Sequence, residues 1–152
     1  MRAVGRHRLG DDDAMRLLPR LLVPLVVAGS VAACSSSGGA LGRAESTGIL
    51  TVGAVESPPA VVPSEGGEVT GAAADLVDGY ARSIEAHPTW RVGGSPDLAA
   101  AVGRGEVDVI IGVPAGEVPD GMTAVGEGAT TMLVADDEPQ LRDSLRDWLE
   151  ST

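Results

Sequence analysis

Apolar residues in the second part of the chain recur with two periods, which predict strands and helices. Four short runs rich in valine and isoleucine predict strands, because β-branched side chains favour extended backbone. These runs cover residues 49–55, 89–92, 107–113 and 129–135. Between and after them, apolar residues three or four apart predict helices. The predicted helices cover residues 72–86, run from Ser95 to Gly103 or Gly105, and begin again at Pro139.

Two segments between these elements are rich in proline and glycine. Residues 56–63 contain three prolines, and residues 114–128 contain two prolines and four glycines, so both predict loops. The predicted order is strand, helix, strand, helix, strand, loop, strand, helix. This alternation predicts an α/β fold, with a small, mainly parallel sheet flanked by helices.

The N-terminal region follows a different pattern. Residues 15–34 read MRLLPRLLVPLVVAGSVAAC: arginines, an apolar run, small residues and the only cysteine. Arginine before about a dozen apolar residues that end in small ones is typical of a secretory signal peptide. We therefore predict a signal peptide over residues 1–33. Either its N-terminal part is unusually long or translation starts at Met15, and the aspartates at 11–13 favour Met15.

The end of this segment carries a second signal, Val31-Ala32-Ala33-Cys34. It resembles a bacterial lipobox, whose cysteine receives a palmitate-type lipid and becomes the mature N-terminus. The resemblance implies a lipoprotein anchored through Cys34 to the extracytoplasmic face of the cell membrane. Residues 34–47 then predict the lipidated cysteine and a tether rich in serine and glycine. Residues 48–152 are long enough for a single domain.

The charge of residues 34–152 excludes several kinds of partner. They carry 19 acidic residues, six arginines and no lysine, a net charge of about −13 with histidine neutral. Nucleic-acid binding is not expected, because it needs clusters of basic residues. Electrostatic attachment to anionic lipid is not expected either, so the membrane contact is assigned to the anchor.

Few residues in this part of the chain could carry out chemistry. With Cys34 lipidated, no cysteine remains for a disulfide or a thiolate metal site, and His87 is the only histidine. No acidic run matches a calcium loop. We expect no metal, no cofactor and no catalytic set, and hence no enzyme.

Three segments occur in an order and spacing typical of a known family. They are LTVG with ESPP at 50–59, GAAADL at 71–76 and GEVDVII at 105–111. They resemble lobe one of the extracellular solute-binding proteins of the amino-acid type (family 3). That family has a strand and a proline loop, then Gly-Phe-Asp-x-Asp-Leu opening a helix, then Gly-x-x-Asp before a strand. The resemblance implies a single lobe of a periplasmic-binding-protein fold.

The candidate binding residues lie at strand ends and at one helix start. Glu56, Ser57 and Gly112 follow the first and third strands, where open parallel sheets bind ligands. Asp75 stands where the family places a carboxylate facing the cleft. Turn roles are the alternative for the first three, and a favourable charge at the helix N-terminus is the alternative for Asp75.

The chain also departs from the family. Ala72 and Ala73 replace the phenylalanine and the first aspartate of the helix motif, and residues 114–128 contain no Thr-x-x-Arg, whose arginine grips a ligand carboxylate. The family binds its ligand between two lobes, and this chain looks like a member whose second lobe is reduced to the loop rich in proline and glycine. One lobe would bury less of a small ligand than the roughly 70–90% usual for such sites.

Two hypotheses follow. The first is a lipid-anchored component that binds a small, amino-acid-like solute or docks to an ABC permease. The alternative is a structural or interaction lipoprotein that has lost ligand binding. The sequence does not name a ligand or say whether a second copy replaces the missing lobe.

Overall fold

The computed structural model describes residues 39–152. The predicted signal peptide, the Met15 start and the lipidated Cys34 lie outside the described residues and stay predictions. Within the described range, no helix combines the length and the apolar character needed to cross a membrane.

Seven strands and four helices make up the domain. The helices are α1 (Gly39–Thr47), α2 (Ala72–Ser83), α3 (Ser95–Gly103) and α4 (Pro139–Ser151). The strands are β1 (Ile49–Ala54), β2 (Val62–Pro63), β3 (Val69–Thr70), β4 (His87–Val92), β5 (Val109–Ile111), β6 (Met122–Val125) and β7 (Met132–Ala135). A short 3-10 turn, Gly128–Thr130, precedes β7.

Five of the strands form one sheet in the order β4-β1-β5-β7-β6. β1 pairs in parallel with both β4 and β5, whereas β7 is antiparallel to β5 and to β6. Four strands therefore point the same way and β7 alone is reversed. The predicted α/β fold with a mainly parallel sheet is confirmed.

The centre of the sheet is buried on both faces, as the alternation of side chains along β5 shows. Val109 and Ile111 belong to one apolar cluster, which lies against α1, α2 and α4. Ile110 points the other way, into a smaller cluster with Leu98 of α3. Because successive strand residues face opposite sides, three consecutive apolar residues serve both layers.

Two segments predicted to be loops contain strands. β6 lies within residues 114–128, and the hairpin of β2 and β3 begins within the proline-rich loop. β6 spans only four residues, and its backbone is paired with β7 along its whole length. Such a strand is stabilised by its partner rather than by its own sequence pattern.

The predicted tether is wrong for residues 39–47, which form α1. Ala40 and Ala44 are one turn apart and are 2% and 0% exposed. A face of small residues lets the helix lie close to the rest of the domain. In the sequence these alanines stand among glycines and serines, and this composition alone is typical of a flexible tether.

Polar contacts hold α1 at the amino ends of the parallel strands. The carboxylate of Glu138 accepts a hydrogen bond from the backbone N–H of Ala40 at 2.8 Å, which caps the start of the helix. Arg43 forms an ion pair with Asp108, whose side chain is 3% exposed. The other oxygen of Asp108 accepts a hydrogen bond from the N–H of Thr51 in β1 at 2.8 Å.

Replacing Arg43 with alanine should therefore destabilise the domain. The substitution removes one partner of a buried carboxylate, and we expect a loss of about 1–3 kcal/mol in the free energy of unfolding. Because Arg43 is 46% exposed, the loss should be below that for a fully buried ion pair. Urea denaturation of residues 35–152 measures it.

The matched control is Arg82→Ala, which removes an exposed arginine from the last turn of α2. We expect a smaller change there. Equal unfolding midpoints for the two variants would contradict the role assigned to the ion pair.

Candidate functional site

The carboxyl ends of β1, β4 and β5 lie side by side and form one edge of the sheet. The N–H of Val55 donates to the carbonyl of Ile111 at 2.9 Å, and the N–H of Gly93 donates to that of Ala54 at 3.1 Å. The three strand ends are thus still hydrogen-bonded where the chain leaves the sheet. We call the segments that follow them, residues 55–75, 93–98 and 112–117, the carboxyl edge; beyond them the chain returns to the amino ends of the strands, where β6 begins.

The loop after β1 is joined to the start of α2. Ser57 and Val61 exchange backbone hydrogen bonds of 3.0 and 2.9 Å, which close a tight turn. The carbonyl of Ala60 accepts a hydrogen bond from the N–H of Ala73 at 3.1 Å. A side chain at Gly71, which has a φ of +114°, would overlap the Ala60 carbonyl. The loop is therefore fixed against the first turn of the helix.

Gly112 has a structural role at this edge. Its φ is +84°, and a Cβ atom there would overlap the carbonyl oxygen of Val55 and lie 3.1 Å from a methyl group of Val61. A glycine is needed both for the backbone conformation and for the close approach of the chain after β1. This corresponds to the turn role given above as its alternative, and a contact with ligand stays a prediction.

The structure places the other predicted site residues at the same edge. Glu56 is exposed directly after β1, and Ser57 is half-buried in the tight turn. Asp75 is exposed in the first turn of α2. The loop connects these positions, so all lie on one side of the domain. Ala73, where the family has an aspartate, is 1% exposed and packs in the core.

Two helices begin at this edge without a side-chain cap, α2 after Gly71 and α3 after Gly94. The first N–H groups of a helix have no partner inside it, and the helix dipole is positive at that end. At the start of α2 the loop already supplies a partner, because the N–H of Ala73 is bonded to Ala60. The start of α3 can accept the carboxylate of a small molecule. The sequence does not mark Gly94 as a binding residue. Its position between a strand and a helix that follows closely does predict that it lies at this edge.

The side chains of the carboxyl edge are acidic. Its segments contain no arginine, lysine or histidine. Their carboxylates are those of Glu56, Glu65, Glu68, Asp75, Asp97 and Glu117. Such a surface attracts a positively charged group and disfavours a second surface of the same charge.

Two arginines of the domain are paired with one carboxylate away from this edge. Arg91 and Arg104 both lie 2.7 Å from the carboxylate of Glu106, before β5. The hydrogen bonds from Arg104 and then Arg91 lower the pKa of Glu106 to about 2, so this carboxylate stays charged at ordinary pH. In residues 39–152, no group of three or more histidine, cysteine or acidic side chains is arranged to hold a metal ion.

Comparison with known proteins identifies the fold. No protein-family model and no curated protein matches the chain. The arginine-bound form of domain 1 from TmArgBP of T. maritima is 20% identical, with a TM-score of 0.62, and the match covers 72% of this chain and 98% of that domain. A mutant of the same arginine-bound domain gives 21% identity, a TM-score of 0.64 and coverages of 74% and 97%.

A longer protein matches over part of its length. A mutant of arginine-bound ArgBP from T. maritima is 22% identical, with a TM-score of 0.51 and coverages of 59% of this chain and 43% of that protein. These similarities concern the fold. They confirm the predicted single lobe of a solute-binding-protein fold, and the chain matches one complete domain.

Substituting Gly112 with alanine should destabilise the domain. We expect a loss of about 1–3 kcal/mol or more, because alanine is strained at this φ and its methyl group overlaps Val55. Chemical denaturation of residues 35–152 checks this. Gly116→Ala is the matched control, since a Cβ there meets nothing within 4 Å. Equal stability of the two variants would rule out a structural role for Gly112.

Proposed function

We propose that this protein is a lipid-anchored binding component that takes a small, positively charged, amino-acid-like solute at its carboxyl edge. The observation that carries the proposal is the combination of an acidic edge with the uncapped N-terminus of α3. This combination sits on a fold shared with an arginine-bound domain. The proposal assigns binding and no reaction.

The chemistry of the edge fits both ends of such a solute. The carboxylates of Asp75 and Glu56 can accept hydrogen bonds from an amine or a guanidinium group, and these charge-assisted bonds are strong. The N–H groups at the start of α3 can hold a ligand carboxylate. They would replace the arginine that the family uses and that residues 114–128 lack.

A single lobe is compatible with binding. In TmArgBP, domain 1 was crystallised by itself in an arginine-bound form, and this chain matches 98% of that domain. An open, one-sided site leaves more of the ligand in water than a closed cleft does. We therefore expect weak, salt-sensitive binding that depends on charge.

The membrane attachment is assigned to Cys34. The signal pattern before it and the lipobox resemblance support an anchor on the extracytoplasmic face. α1 begins at Gly39, so the stalk between lipid and domain is five residues rather than the predicted tether. Such a stalk spans at most about 18 Å.

One set of observations favours a second candidate, an interaction lipoprotein that binds no small solute. Ala72 and Ala73 stand where the family has two motif residues, and the family's arginine has no counterpart. The ligand test below separates the two candidates.

Cationic ligands should stabilise residues 35–152 in a thermal-shift titration. The panel is arginine, lysine, ornithine and putrescine, with glutamate and leucine as controls of other charge. A ligand at 100 times its Kd adds about 2.7 kcal/mol to the free energy of unfolding. We expect a dose-dependent rise in Tm for one or more cations, and a smaller rise as salt is added.

Asp75→Ala should remove most of that rise. Its matched control is Glu45→Ala, an exposed acid on α1 outside the carboxyl edge, which should keep it. A flat panel would favour the interaction lipoprotein, and an equal response of both variants would show that Asp75 takes no part in binding.

Cys34→Ser should release the full-length protein from the membrane. Without the thiol, no lipid can be attached, and the acidic domain has no basic surface to hold it there. Fractionation of cells followed by immunoblotting measures the shift from membrane to soluble fraction. The anchor assignment is wrong if the variant stays with the membrane.

A further inference from the structure

The start of α1 lies at the amino edge of the sheet, opposite the carboxyl edge. Asp108, the partner of Arg43, immediately precedes β5. Glu138, the partner of Ala40, follows β7, which runs against the other strands and therefore ends at their amino side. Both contacts place the entry of the chain into the domain at this edge.

The attachment of α1 is both polar and apolar. Glu138 and Asp108 are 98 and 65 residues away from their partners in α1, so the contacts join distant parts of the chain. Ala44 is fully buried, and its carbonyl accepts a hydrogen bond from the N–H of Gly48 at 2.8 Å just before β1. The helix is thus joined to the domain at its start, middle and end.

We propose that α1 is a clamp that holds the amino edge toward the lipid surface and leaves the carboxyl edge facing away from it. This rests on the proposed lipid anchor at Cys34. The stalk of five residues keeps the amino edge within about 18 Å of the anchor. The six residues of β1 place the carboxyl edge about 20 Å farther along the strand direction. In this orientation the solute site opens to the surrounding medium and not to the bilayer.

Energy transfer from the protein to the membrane tests this orientation. The full-length lipoprotein is reconstituted into vesicles of phosphatidylcholine and phosphatidylglycerol that contain an acceptor lipid. A donor dye is attached at Gln140→Cys, at the amino edge, or at Ala115→Cys, at the carboxyl edge; both positions are exposed. Because lipid occupies the Cys34 thiol, the new cysteine is the only reactive one.

We expect greater transfer from position 140 than from position 115. Inserting about 15 glycine and serine residues after Gly38 lengthens the stalk by about 20 Å, and the difference should shrink. Arg43→Ala, which loosens the clamp, should also reduce it, with Arg82→Ala as the unaffected control. The insertion lies outside the folded domain, so it keeps the test valid if Arg43→Ala does not fold.

Equal transfer from both positions, or greater transfer from position 115, would overturn the orientation while leaving the anchor intact. Protein that does not float with the vesicles would instead overturn the anchor and the orientation that rests on it. Ligand binding in the thermal-shift titration is independent of either result.

Discussion

The buried carboxylate of Asp108 is the interaction on which the arrangement of this domain depends. It accepts a hydrogen bond from the N–H of Thr51 and pairs with Arg43, so one side chain joins β1, the start of β5 and α1. A buried carboxylate without partners is strongly unfavourable. The chain is therefore constrained to bring α1 to the amino edge, and the alanine face of the helix fits closely once it is there.

This constraint gives the two edges of the sheet different properties. At the amino edge, two carboxylates bind α1, namely Asp108 through Arg43 and Glu138 through the N–H of Ala40. At the carboxyl edge, a tight turn that requires Gly112 brings the chain after β5 close to the chain after β1. The amino edge holds α1 to the sheet, and the carboxyl edge presents exposed carboxylates and the start of α3 to solvent.

The sequence predicts those parts of the fold whose signals are local. The strand before Glu56 and the helix that carries Asp75 follow from side-chain periodicity, and both therefore lie at the predicted edge. α1 and β6 depend on distant partners: α1 on Asp108 and Glu138, β6 on β7. The nine residues of α1 and the four residues of β6 contain no pattern that reveals such partners. The start of α3 joins the edge because β4 lies beside β1, which is again a property of the assembled sheet.

The residues that match the family hold the fold together, whereas the residues that differ leave the ligand undefined. Within Gly-x-x-Asp, Gly105 takes a φ of +71° just after α3 and Asp108 joins β1 to α1. Both matching residues hold the fold together. The departures from the family are Ala72, Ala73 and the absent arginine. At these positions the family motifs have a phenylalanine, an aspartate and an arginine that grips a ligand carboxylate. Ala73 is buried, so an aspartate there would need partners that this core does not supply. The proposed recognition of a solute would therefore rely on the charges of the carboxyl edge and on the start of α3.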